Sequence, residues 1–221
     1  MKKVKHTIEI LRSIPISYYV CVKLLGFKKA LRLPIFVRYN THIISLKGEI
    51  TILGRGRIKI GFGKTSEFDK KYERNIIKFN GNITFHSPCS FGQGCKIISE
   101  KNSKMEIGEN FHNSAKLTIS NRGHISIGCG AWVSWDTWIC DTDFHQVIDI
   151  ETGEASNPNG EVIIGNNVWI AANSMIMKGA QIPDGCIIGT GSLVRNPFSD
   201  ANCLLAGSPA KVKRQNVTWK K

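Results

Sequence analysis

From residue 164 the apolar positions of this chain keep one beat: Ile164, Ile170, Ile176, Ile182, Ile188 and Val194. A return every six residues is not the face of an α-helix, which recurs at three, four and seven, and it outlasts the alternation of a single amphipathic strand. It fits a short strand followed by a corner, three such units closing one triangular coil of a parallel β-helix. The residue after each plug is Gly165, Ala171, Met177, Pro183 or Gly189, and four places on stand the compact Val168, Ser174, Ala180, Cys186 and Ser192. Compact side chains there let the chain bend without crowding the coils above and below. Weaker copies lie upstream: Phe79, Phe85, Phe91 and Ile97, accompanied by Ile83, Cys89 and Cys95, and then Ile127, Val133 and Ile139. The pattern predicts an all-β solenoid.

Two places break the beat. Between Ile97 and Ile107 the polar stretch SEKNSK lengthens the step to ten, which predicts a small excursion. Between Ile139 and Ile164 the step is 25 and contains ETGEASNPNG, a turn-rich polar run that predicts a loop extruded from the coil. Past Val194 the rhythm stops at RNPFSDANC, and the tail is expected to cap the open edge of the last coil. The expected organisation is a basic, partly helical N-terminal cap at 1–40, a β-helix at 41–194 with its loop at about 146–161, and a C-terminal cap at 195–221. GFGKT at 61–65 resembles a phosphate-binding loop, but the pattern needs glycine at position 58, which is Ile58; the stretch reads better as part of a coil.

The step of six after Ile139 lands on His145, inside DTDFHQ. Held in register, its imidazole would enter a dry interior and lose hydrogen bonds. A strand that has already ended would instead turn the ring toward the cleft beside the loop. Imidazole ordinarily titrates near about 6.5 and can take a proton at neutral pH, which makes His145 a candidate general base. Asp141 and Asp143 precede it by four and two residues. Either could hold the second ring nitrogen, Asp143 by sharing a strand face with His145; both could equally close a local turn. Trp169 falls between two inward positions and so points outward, where an indole suits stacking on a sugar or an acyl group, or a subunit contact. His86, His112 and His124 lie near turns at spacings that do not suggest a metal site.

IGNNVWIAANSMIMKGAQIPDGCIIGTGSLV followed by LLAGSPAKVKR resembles the C-terminal half of the hexapeptide-repeat acyltransferases. DTDFHQVIDIETGEASNPNGEVIIGNNVWI is similar, more narrowly, to the branch found in capsule and O-antigen polysaccharide biosynthesis, and the likeness runs from about residue 79 to 214. It implies a left-handed coil, against the usual right-handed crossover rule, and a homotrimer with acetyl-CoA bound between neighbouring subunits. It implies that His145 is the catalytic base and that Trp169 lines the site opposite it. It places Ala172 and Thr190 where backbone groups meet the pantetheine arm, and Arg195, Lys211 and Arg214 where cations meet the nucleotide phosphates. At Arg195–Asn196 the residue order departs from the common family pattern, which weakens that one assignment.

Composition changes this picture in one respect. The formal charge of +13 lies wholly in the first third: residues 1–78 hold 18 Lys/Arg against 5 Asp/Glu, and residues 79–221 hold 12 of each. VKLLGFKKALRL sets Leu24, Leu25, Ala30 and Leu31 among Lys23, Lys28, Lys29 and Arg32. It reads as a basic amphipathic helix that either lies on an anionic membrane surface or caps the first coil. No nucleic-acid module accompanies the charge, so nucleic acid is not an expected partner. The N-terminus resembles a signal peptide only faintly, and its longest uncharged stretch, Ser13 to Val22, is far short of a membrane span. Seven cysteines without a C-x-x-C pair argue against a disulfide framework or a zinc site; Cys89, Cys95 and Cys186 read as buried, reduced thiols of a cytoplasmic protein.

The expected function is acetyl-CoA-dependent O-acetylation of a sugar hydroxyl in a surface polysaccharide or its precursor. The hydroxyl attacks the thioester directly, a backbone amide stabilises the oxyanion, and neither a metal nor a covalent acyl-enzyme is called for. N-acylation of an amino sugar or nucleotide-linked sugar, and a non-catalytic trimeric scaffold, stay open at this point.

Overall fold

The computed structural model describes residues 2–63, 65–69 and 72–220. Lys64 of the GFGKT stretch lies outside them, as do Met1 and Lys221 of the two caps.

The chain opens with helix α1, Lys2–Leu25, and a single turn of helix α2, Phe27–Ala30. Between them Gly26 takes φ 81°, a conformation that glycine adopts without penalty. The stretch expected as one basic helix is therefore broken in two. α1 continues through Pro15, a residue that can donate no backbone hydrogen bond. The hydroxyls of Ser13 and Ser17 bond back to the carbonyls of Glu9 (2.7 Å) and Ser13 (2.6 Å). Ser13, Ser17, Val20 and Cys21 form the buried face of α1. It lies on the strand Ile35–Val37, whose Val37 N–H donates to Ser17 Oγ at 2.8 Å. That strand pairs in parallel with Ile58–Ile60, so coil pairing begins before residue 41.

From there the chain winds around three faces. Face one stacks 82–85, Lys104–Ile107, His124–Ile127, Glu161–Ile164 and Gln181–Ile182. Face two stacks Phe111–Asn113, Trp132–Val133, Trp169–Ile170, Ile187–Ile188 and Leu204–Gly207. Face three runs from His42–Leu46 through Ile76–Phe79, Lys96–Ser99, Thr118–Asn121, Trp138–Cys140 and Met175–Ile176 to Leu193–Val194. Neighbours within each of these stacks are parallel. In the upper part Trp169 pairs with Ile187 and Met175 with Leu193, so one coil is 18 residues, three units of the six-residue beat.

The interior is the apolar comb. Ile164, Ile170, Ile176, Ile182, Ile188 and Val194 are buried, and so are Val168, Ser174, Ala180, Cys186 and Ser192 at the corners. Lower down, Phe79, Phe85, Phe91 and Phe111 fill the prism with rings 4.9–6.5 Å apart. Burial of each such side chain contributes about 1.5–3 kcal/mol. Cys89, Cys95 and Cys186 are buried free thiols, and burial pushes the first two up to about 12.

One interruption, at 61–75 and in part outside the described residues, falls between Ile60 on face two and Ile76 on face three; the others leave at the corner between face three and face one. The SEKNSK stretch turns there at 100–102, a shorter widening follows at 121–123, and the long loop leaves after Cys140 and returns at Glu161. The loop therefore starts nearer 141 than 146. Coil pairing also continues past Val194, because Leu204–Gly207 adds a strand to face two before Ala210–Arg214 folds back antiparallel over it. No helix among the described residues is long and apolar enough to cross a membrane.

Candidate active site

Asp141 decides where the loop begins. It continues an interior corner ladder in which Ser99 Oγ donates to Asn121 Oδ1 (3.2 Å) and Asn121 Nδ2 donates to Asp141 Oδ2 (2.7 Å). The fully buried Asp141 carboxylate also accepts the N–H groups of Arg122 (2.7 Å) and Gly123 (2.9 Å). Burial raises its pKa against the opposing pull of those hydrogen bonds. Asp141 holds the coil below and is not available to orient a histidine.

One residue on, the chain turns outward. Thr142 forms an antiparallel bridge with Asn159 and donates from Oγ1 to Asn159 Oδ1 at 2.8 Å, closing the neck of the loop. Phe144 takes φ 63°, its N–H donates to Thr142 Oγ1 (3.0 Å), and its ring stacks toward Trp138 at 6.5 Å with the Arg122 guanidinium 5.2 Å from its centroid. A left-handed backbone at a bulky residue is rare and marks a sharp change of direction. It carries His145 off the comb: the imidazole is exposed, not inside the prism.

Asp143 does not orient His145 in this chain. It is also exposed, and its Oδ2 accepts from Lys178 Nζ. Lys178, on the next coil, also donates to the Asn157 carbonyl at 2.9 Å. One lysine thus ties both sides of the neck to the solenoid. A side chain on Gly160 would meet the Lys178 stem, its Cβ 2.7 Å from Cγ, so the glycine leaves that arm its path. Lys178 is a residue that the repeat pattern did not single out; one basic side chain at one corner has no periodic signature.

Trp169 sits in the middle of face two, half-buried, its indole N–H donating to Ser134 Oγ at 3.3 Å. Trp132 lies directly beneath it in the parallel ladder. His112 stacks on Trp132 at 3.9 Å, and Trp219 from the C-terminal segment stands 6.1 Å from Trp169, its indole N–H on the Asn167 carbonyl at 2.7 Å. In a triangular prism, face two lies opposite the corner between faces three and one. The structure therefore does not bring Trp169 and His145 together within one chain. Ala172 and Thr190 are stacked one coil apart at the corner between faces two and three, where Gly191 N–H donates to the Ala172 carbonyl at 3.0 Å. Arg195 follows the last strand of face three, two coils above the corner that bears the loop, whereas Lys211 and Arg214 lie on the antiparallel strand beside face two. All three cations are exposed. Of the weaker histidines, His86 Nε2 pairs with Glu106 at 2.8 Å and His124 lies 3.7 Å from Glu161.

Residues 161–196 match the family profile described as bacterial transferase hexapeptide (six repeats). A polysialic acid O-acetyltransferase of Neisseria meningitidis is 35% identical over 131 residues, 59% of this chain and 58% of the relative. A polysialic acid O-acetyltransferase of Escherichia coli O1:K1 / APEC is 30% identical over 124 residues, 56% of this chain and 40% of the relative. The chain thus spans about half the length of these curated relatives. The crystal structure of the polySia-specific acetyltransferase NeuO superposes with a TM-score of 0.63 over 85% of this chain and 79% of that one, at 23% identity, a likeness of fold. With its six-residue beat, its three-faced coil and these likenesses, the chain folds as a left-handed parallel β-helix whose residues 161–196 carry the hexapeptide repeat of the bacterial transferases.

Proposed function

We propose that this chain is an acetyl-CoA-dependent O-acetyltransferase acting on a sugar hydroxyl of a surface polysaccharide or its precursor, with His145 as general base. The observation that carries the reading is the position of His145: exposed, on a braced neck, at the corner where the 141–160 loop interrupts the comb. The two curated relatives are named as polysialic acid O-acetyltransferases, which supports an acetyl donor and a saccharide acceptor.

The site is completed between subunits of a homotrimer. His145 at the loop corner of one copy meets Trp169 on face two of the next, since a single prism holds them on opposite sides. There His145 removes the proton as the sugar oxygen attacks the thioester carbonyl, and the imidazolium then returns that proton to the departing thiolate. Trp169 offers a ring face to the acceptor or the acyl end. Ala172 and Thr190 lie along the path of the pantetheine arm, and Arg195, Lys211 and Arg214 supply cations for the phosphates. Asp143 acts through Lys178, as part of the anchor that positions the loop. The basic N-terminal cap fits a peripheral place at the inner face of an anionic membrane.

His145→Ala tests the reading. The variant is expected to keep the wild-type oligomeric state on size exclusion and to lose thiol release from acetyl-CoA by about a hundredfold or more, the upper range for general-base catalysis. Wild-type turnover in the variant would favour a scaffold or another base. A matched pair of hydroxyl and amino acceptors separates O- from N-transfer.

A further inference from the structure

The N-terminal end of the solenoid carries charge that the proposed reaction does not use. Residues 1–48 hold ten Lys/Arg and one acidic residue, Glu9, and Arg38 Nε already occupies the Glu9 carboxylate at 2.6 Å. Against the first coil, α2 and its flanks form a cleft of about 540 Å³ lined by Leu25, Lys28, Lys29, Arg32, Ile50 and Ile52, among others. Residues 49–54 pair with 82–87 along one edge, and no described strand pairs with their other edge. Cations and bare apolar side chains alternate around the opening: Phe27 is 69% exposed and Leu31 74%, either side of Lys28 and Lys29. Along α1, Ile8, Leu11, Ile14 and Tyr19 are exposed as well.

Such a surface selects a ligand that is itself amphipathic. A nucleic acid or an acidic sugar polymer would engage the lysines and leave Phe27 and Leu31 in water. A lipid satisfies both, its phosphate on the cations and its acyl chain beside the apolar residues. We propose that the cleft seats the phosphate headgroup of an anionic membrane lipid, with Phe27 and Leu31 entering the acyl boundary, so that the N-terminal end of the solenoid docks on a bilayer. This deepens the functional reading in one respect: in the proposed homotrimer three such ends face one plane and bind with avidity. The cleft itself does not depend on that reading.

Flotation of the full chain with vesicles tests it. The wild-type protein is expected to float with vesicles of equal parts phosphatidylcholine and phosphatidylglycerol and to stay behind with phosphatidylcholine alone. Lys28→Gln/Lys29→Gln/Arg32→Gln together should weaken partition by about a hundredfold. Phe27→Ser/Leu31→Ser should weaken it by about tenfold or more with the charge unchanged. Both sets of residues are exposed, so the fold should survive, and a circular-dichroism melt checks this. His145→Ala should float like wild type, and the Phe27→Ser/Leu31→Ser protein should acetylate a soluble acceptor normally, which keeps failure of the lipid proposal distinct from failure of the catalytic one. Three results would overturn the proposal: no flotation of the wild type, flotation indifferent to Phe27→Ser/Leu31→Ser, or loss of the oligomer in that variant without vesicle binding by the wild type, which would assign the cleft to a second copy.

Discussion

Asp141 and Asp143 are two residues apart and end in opposite environments. The buried Asp141 pKa is raised because desolvation outweighs its hydrogen bonds. The folded chain therefore binds that proton more tightly than the unfolded one. This contribution to stability is present below the ordinary carboxylate value of about 3.9 and is lost as pH rises through the folded value. Asp141→Asn is expected to destabilise by about 1–3 kcal/mol in acid, with the gap to wild type narrowing as pH rises; urea melts at several pH values read it. A gap that widened with pH would mean that the hydrogen bonds prevail over burial. For Lys178→Met a different profile follows. Its partner Asp143 is exposed, so stability should change by less than about 1 kcal/mol. The loosened neck should nevertheless lower kcat about tenfold and speed proteolysis between residues 146 and 156. Among the thiols, Cys129 alone is exposed, and it should be the one that reacts quickly with a maleimide in the native protein.

At the level of elements, the loop and the coil are separable. The loop ends are held side by side by the Thr142–Asn159 bridge, and residues 143–157 are exposed. Replacing 146–156 with two glycines should therefore leave the melting temperature close to wild type, since loop-closure entropy varies slowly with length, while turnover falls to background. A change inside the comb acts the other way: Ile176→Ala, in a fully buried slot on face three, should lower stability by about 2–5 kcal/mol, measured by urea unfolding. The widenings at 100–102, 121–123 and 141–160 share one corner for a geometric reason. Stacked coils repeat the same corner at the same place, so a segment displaced outward in one coil meets the displaced segments of its neighbours and not their strands.

For the molecule as a whole, a triangular prism cannot bring its loop corner and the opposite face together, so the proposed site needs more than one copy. Mixing His145→Ala and Trp169→Ala subunits after mild dissociation should restore part of the turnover that each variant lacks alone. Absence of rescue, with exchange verified by mass, would place the chemistry within a single chain.

The coil itself was legible in the chain: Ile164 to Val194 recur without a slip, and a buried repeat needs only local rules that each coil satisfies against the next. The end of that rhythm at His145 was equally plain, because an imidazole in a dry slot would have lost its hydrogen bonds. The fates of Asp141, Asp143 and Lys178 were not. Each depends on a partner 18–35 residues away, Gly123, Lys178 and Asp143 in turn, brought close only by the stacking of successive coils. The break at Gly26 and the open cleft beneath it were hidden for the same reason. Charge is written along the chain, whereas the surface on which it gathers is decided by which helix packs on which coil.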